Sequence, residues 1–283
     1  QMKTMKNIIK CLTASLLVVY LSSCVDLDPE PLSFYAPENT FLDKEGLEAL
    51  LVTSRKQIKW EWFGDAFNAG YCETPLVYEY AWSDISVMGA PEVKEIHNLE
   101  TQLTPNTSMA LHLRYWDLAW NGIKYANTVI SRVPKSTITN ETDKNELLAE
   151  GYFHRAYWYY LLVNQWGDVP LILEEITEPK LDFYSTSRMK ILQQLKTDME
   201  FAVQWLPKNV KPGCVSRAAG EHLLAKIYLC TGDFQLAVDA TTRCINDYGL
   251  HLMKERFGVN AADPNLDVFN DLFQEDNISA SEN

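Results

Sequence analysis

The sequence predicts an all-α protein made of antiparallel helical hairpins, with one irregular, aromatic-rich connection between its first two helices. Three observations carry this reading. Apolar residues step by 3 or 4 through six segments between residues 42 and 249, the spacing that one face of a helix requires. Five of those segments stop at Pro134, Gly167, Pro207, Gly232 or Gly249, residues that end a helix through ring geometry or a left-handed backbone. Strand-like alternation is scarce and the linking turns are short, as paired helices need.

At the N-terminus the basic residues Lys3, Lys6 and Lys10 precede an apolar run, Cys11 to Leu21, broken only by Thr13 and Ser15. That run is too short to cross ~30 Å of hydrocarbon as a helix, so residues 1–23 read as a secretory signal. Leu21-Ser22-Ser23-Cys24 resembles the lipobox of bacterial lipoproteins, which makes Cys24 the lipid attachment site and the first residue of the mature chain. Each buried methylene of an acyl chain such as palmitate contributes ~0.8 kcal/mol, so two or more chains anchor stably without a membrane-spanning segment. Residues 24–41, which open Cys-Val-Asp-Leu-Asp-Pro-Glu-Pro, read as an acidic, proline-broken tether.

The helical domain is expected over residues 42–283. Its first helix covers Leu42 to Phe63, with Leu47, Leu50, Leu51, Ser54 and Ile58 on one side and Asp43 and Glu45 in the first turn, where the helix dipole favours acids. A polar and aromatic connection then runs to about Ser108, punctuated by Gly70, Pro75, Gly89, Pro91 and Pro105. Connections beyond ~12–15 residues are commonly functional. The second helix starts at Met109, carries Leu113, Trp116, Trp120, Ile123, Asn127, Ile130 and Val133 on one stripe, and stops at Pro134. The third spans Thr142 to Gln165, with Leu148, Tyr152, Tyr159, Leu162 and Trp166 on its stripe; the fourth spans Ser185 to Trp205, the fifth Ser216 to Cys230 and the sixth Asp233 to Tyr248. In the last pair Ala225, Tyr228, the turn Gly232-Asp233-Phe234 and Ala237 follow tetratricopeptide-repeat spacing. Small residues let two helix backbones approach, and the aromatic fills the wedge beside them. Glu221 departs from the pattern, standing where the repeat prefers an aromatic.

Composition excludes several function classes. With 47% apolar and 22% charged residues, the chain can bury an ordinary core. Its 25 basic against 38 acidic residues give a net charge of −13, and removing residues 1–23 deletes three lysines and no acid, taking it to −16. Such a balance works against nucleic acid as a partner. Beyond Cys11 and Cys24 remain Cys72, Cys214, Cys230 and Cys244, with no C-x-x-C pair. On a hairpin turning at Gly232, Cys230 and Cys244 are offset by about ten residues, ~15 Å along the axis, so buried free thiols are expected rather than a disulfide. His97, His112, His154, His222 and His251 show no H-x-x-x-H spacing; neither metal nor cofactor is predicted. There is no G-x-S-x-G elbow, P-loop or G-x-G-x-x-G, and no pair of acids stands out for glycoside hydrolysis, so no catalysis is expected.

Several segments together resemble the SusD/RagB family of outer-membrane nutrient-binding lipoproteins: the run from Arg155 to Leu171 (RAYWYYLLVNQWGDVPL), Trp82-Ser83-Asp84, Ala126-Asn127, the hairpin over 216–249, and the lipobox with its acidic tether and the Phe34 to Phe41 lead-in. The resemblance implies a lipid-anchored protein of the outer membrane, facing the cell exterior, that binds glycans or other nutrients without altering them and delivers them to a SusC-like TonB-dependent transporter. It also implies a longer chain, so the domain is expected to be truncated after Phe269-Asn-Asp-Leu-Phe273. The alternatives are a tetratricopeptide-like protein-interaction lipoprotein and, behind it, a glycan-degrading enzyme.

Eight aromatic residues crowd the 23 positions from Trp60 to Trp82. Sugar rings present apolar C–H faces that pack on flat aromatic rings while their hydroxyls seek polar side chains, so Trp60, Trp62, Tyr71, Tyr80, Trp82 and Asp84 are the candidate ligand-binding residues. Arg155, beside an apolar stripe, is expected in a structural ion pair, Asp168 to fix the turn before Pro170, and Asn127 to be structural.

Overall fold

A computed structural model describes residues 42–63, 110–274 and 277. Within them the helices are α1 (Lys44–Phe63), α2 (Ala110–Arg132), α3 (Glu141–Gln165), α4 (Arg188–Trp205), α5 (Arg217–Thr231), α6 (Phe234–Asn246) and a short α7 (Val268–Leu272). Strand β1 (Val169–Pro170) pairs antiparallel with β2 (Ser185–Thr186).

Side-chain contacts fix the helix directions. A Cβ on Gly122 would overlap the indole of Trp158, and one on Gly151 would meet Ile130 Cγ1 at 3.0 Å, so positions on α2 rise as those on α3 fall. Arg155 with Asp198 and Tyr152 with Phe201 set α4 antiparallel to α3. Tyr228 with Glu200, and Gly220 with Leu206, do the same for α5 on α4. Lys44 with Asp143, Arg55 with Glu150 and Trp62 with Tyr157 rise together, so α1 runs parallel to α3. The result is an all-α stack of antiparallel neighbours with tetratricopeptide-like packing.

The α5–α6 hairpin shows why its sequence folds this way. Gly232 ends α5 in the left-handed region at φ +81°, where a Cβ is disfavoured, and the Asp233 N–H closes on Tyr228 O at 2.9 Å. Ala237 and Ala240 then bury against α5. Glu221, the departure from repeat spacing, is buried and receives two hydrogen bonds from Arg243, at 2.9 and 2.8 Å; a cross-hairpin ion pair stands where an aromatic would.

Four expectations change. Ser185 and Thr186 are strand, not helix, because they pair with Val169-Pro170, and α4 begins at Arg188. The inward stripe of α2 is Tyr115, Ala119, Ile123, Ala126, Val129 and Val133, one position round from the expected stripe; Leu113 is exposed, and Trp116 and Trp120 lie at the core's edge. Helix α3 has no single stripe, since Leu147, Phe153, His154, Arg155, Trp158 and Leu161 are buried on several faces by the helices around it. Cys214, Cys230 and Cys244 are free but half-buried rather than buried.

Candidate functional site

The last turn of α1 brings Trp60, Glu61 and Trp62 against α2 and α3. Glu61, 1% exposed, accepts hydrogen bonds from Tyr157 Oη at 2.7 Å and Tyr115 Oη at 3.3 Å. Trp62 is 36% exposed and its Nε1 donates to Tyr157 Oη at 3.4 Å, so a partly exposed indole is tied through a tyrosine to a buried carboxylate. Trp60 is half-buried against the main core, with Lys56 Nζ 4.9 Å from its ring centre. Tyr71, Tyr80, Trp82 and Asp84, like Cys24, lie outside the described residues.

Arg155 builds the centre of the molecule. Its Nε and Nη2 donate to Asp198 at 2.8 and 2.9 Å, and its Nη1 donates to Leu173 O at 2.9 Å and Asn127 Oδ1 at 3.2 Å. The remaining amide of Asn127 donates to Ile172 O at 2.9 Å, so both residues pin the segment after β1 to the helices. Asp168 accepts from the Arg188 N–H at 2.8 Å, tying the turn after α3 to the start of α4. Arg155 and Asn127 thus use their hydrogen bonds on protein partners inside the fold, while Asp168, exposed, ties one turn.

Outside that pinned segment the chain arches from Ile176 to Tyr184 and borders a partly open cavity of about 640 Å³. Trp116, Trp120 and Ile123 line it from α2; Ile172, Ile176 and Phe183 line it from the arch side. Trp116 meets Trp120 edge to face at 5.4 Å and Trp166 at 5.3 Å, so its ring orientation is fixed by its neighbours. Lys124, Thr128, Glu174 and Glu175 stand at the same cavity, and Glu175 is paired with Arg132 at 2.9 Å. Sequence reasoning placed Trp116 and Trp120 in a core stripe and missed the cavity. Their spacing with Lys124, each four residues apart, was the available signal. Among the described residues no group of His, Cys, Asp and Glu is arranged to hold a metal ion, and no helix is long and apolar enough to cross a membrane.

A SusD superfamily crystal structure from Bacteroides vulgatus superposes with a TM-score of 0.66 at 19% identity, covering 79% of this chain and 48% of that one. A laminarin-binding SusD-like protein superposes with a TM-score of 0.63 at 24% identity, covering 76% and 47%. At those identities the likeness shows the fold. The SusD-like protein P2 of Formosa agariphila is 28% identical over 241 residues, 83% of this chain and 46% of that relative, so the chain spans less than half of its length. Residues 72–229, more than half of the sequence, match the family model of SusD-like proteins described as starch-binding and associating with the outer membrane, and the chain belongs to that family.

Proposed function

We propose that this chain works as a glycan-binding protein at the outer membrane, anchored through Cys24, that delivers oligosaccharides to a SusC-like TonB-dependent transporter and performs no chemistry on them. Family membership across residues 72–229 carries the reading. The partly exposed indole of Trp62, braced through Tyr157 and Glu61, supports it, because a rigid aromatic face is what a sugar ring packs on. In this reading residues 1–23 are the signal, 24–41 the tether and 42–283 the helical domain, and Trp60, Trp62, Tyr71, Tyr80, Trp82 and Asp84 contribute to the ligand platform. One solved relative is named for binding laminarin, and the charged groups at the centre of this fold serve structure, which fits a carrier better than an enzyme.

Calorimetry with laminari-oligosaccharides tests the binding, with Trp62→Ala and Trp82→Ala beside the parent. Saturable binding weakened by either substitution, with the oligosaccharide recovered intact, is the expected result; hydrolysis of the glycan by pure protein would reverse the assignment. Mass spectrometry of the mature N-terminus tests the anchor. An unmodified Cys24 in membrane-purified protein removes it. Recovery from solubilised membranes without any TonB-dependent protein removes the transporter partner.

A further inference from the structure

Apolar side chains dominate the lining of the cavity between α2 and the 176–184 arch. Its two apolar walls come from separate elements, with the indoles of Trp116 and Trp120 on one side and Ile176 and Phe183 on the other. The volume of about 640 Å³ falls within the ~300–1,000 Å³ typical of small-molecule sites. Among the described residues its lining includes one ammonium, Lys124, and one carboxylate, Glu174, neither in an ion pair with another described residue, while the other acid, Glu175, is neutralised by Arg132. The free charges therefore balance, and they stand where hydrogen bonding to hydroxyls is needed.

The two sides differ in how firmly they are held. On the aromatic side Trp116 packs edge to face with Trp120 at 5.4 Å and Trp166 at 5.3 Å, and on the other side residues 170–175 are fastened by Tyr159, Asn127, Arg155 and Ser131. The arch beyond them presents Leu181 and Tyr184 to solvent, at 97% and 82% exposure, with Phe183 and Ile176 partly turned to the cavity. A ring entering there would meet a packed aromatic wall on one side and a more exposed apolar one on the other.

We infer that this cavity is a second sugar subsite, and that it takes a neutral pyranose whose hydroxyls are all equatorial, as in a β-glucan. The chemical reason is the sandwich. A ring held between two apolar walls must present a C–H face to each, and an axial hydroxyl, as in mannose or galactose, would bury an unpartnered polar group against one of them. Equatorial hydroxyls instead point to the rim, where Lys124 donates and Glu174 accepts. A uronate would bring a second negative charge beside Glu174. This inference rests on the glycan-binding reading and assigns it a place and a stereochemistry.

The test uses the full chain, with laminarihexaose, mannohexaose, a galactan oligosaccharide and an oligogalacturonate as probes, read by calorimetry. Phe183→Ala removes one wall, and Lys124→Trp obstructs the mouth from an exposed helix position; circular dichroism melts check that both variants fold as the parent does. The expected result is laminarihexaose binding at least about tenfold tighter than the other three probes, and at least about tenfold weaker in both variants, the loss of one well-packed hydrophobic anchor. Parent binding that both variants retain unchanged overturns the subsite while leaving the glycan-binding reading intact. Equal affinity for mannohexaose overturns the sandwich. A parent that binds no probe overturns the glycan-binding reading and this inference with it.

Discussion

Arg155 and Asp198 are each about 4% exposed in their side chains, and their two parallel hydrogen bonds offset a desolvation cost that neither could bear alone. Arg155→Met leaves the Asp198 carboxylate buried with Gln194 as its one remaining side-chain donor among the described residues, and is expected to lower stability by about 3–5 kcal/mol in chemical denaturation. The double variant Arg155→Met with Asp198→Leu should recover most of that loss, because no uncompensated charge remains; a double variant as weak as the single one contradicts this account. An Arg next to an apolar stripe announced in the sequence that it needed a carboxylate or backbone carbonyls. It could not announce which, since Asp198 lies 43 positions away on another helix. Glu221 is the converse case: local spacing marks it as out of place, and only the packing of α6 brings Arg243 to it.

At the scale of elements, the segment from Val169 to Thr186 decides how the helices are used. Tyr159, fully buried on α3, accepts the Ile172 N–H at 2.6 Å and donates to Pro170 O at 3.1 Å. Burial pushes its hydroxyl pKa well up, so it stays a protonated donor throughout the ordinary pH range. Tyr159→Phe strands the Ile172 amide and should cost about 1–3 kcal/mol, with faster hydrogen exchange at Ile172 than at amides in the centre of α3. Unchanged exchange at Ile172 means that Asn127 and Arg155 suffice to hold the segment. The same segment explains the displaced stripe of α2, where Trp116 and Trp120 face the space that the arch only partly closes.

For the molecule as a whole, acid should unlock the α1–α3 contact. Burial alone would raise the Glu150 carboxyl, but His154, with Nε2 at 3.5 Å, and the Arg55 guanidinium, at 2.6 and 2.8 Å, outweigh it and hold the group below its ordinary value of 4.5. A carboxyl depressed in the folded state contributes in full above its unfolded value and loses that contribution as pH falls through the folded one. The thermal midpoint should therefore drop as pH falls below about 4.5, an effect that calorimetric scans between pH 7 and 3 will register. Glu150→Gln should lower stability at pH 7 by about 1–3 kcal/mol and make the acid slope shallower. An identical acid slope in that variant shifts the cause to other carboxyls, such as Asp271, which Arg256 holds below its ordinary range.

By itself the sequence determined the all-α class, the helices and their stops, and the α5–α6 hairpin, because helical spacing, proline and left-handed glycine act within a few residues of one another. It marked Arg155 and Asn127 for roles inside the fold, where each has protein partners, and it singled out aromatic residues as candidates for ligand contact. Tertiary structure alone decided which flank of α2 turns inward, that Ser185 and Thr186 are extended, that Glu61 braces Tyr157 under Trp62, and that a cavity opens beside Trp116 and Trp120. Each of these depends on partners tens of residues apart, joined only when the helices pack. Periodicity can say that a face is apolar, but whether that face is covered or left open depends on where the rest of the chain comes to lie.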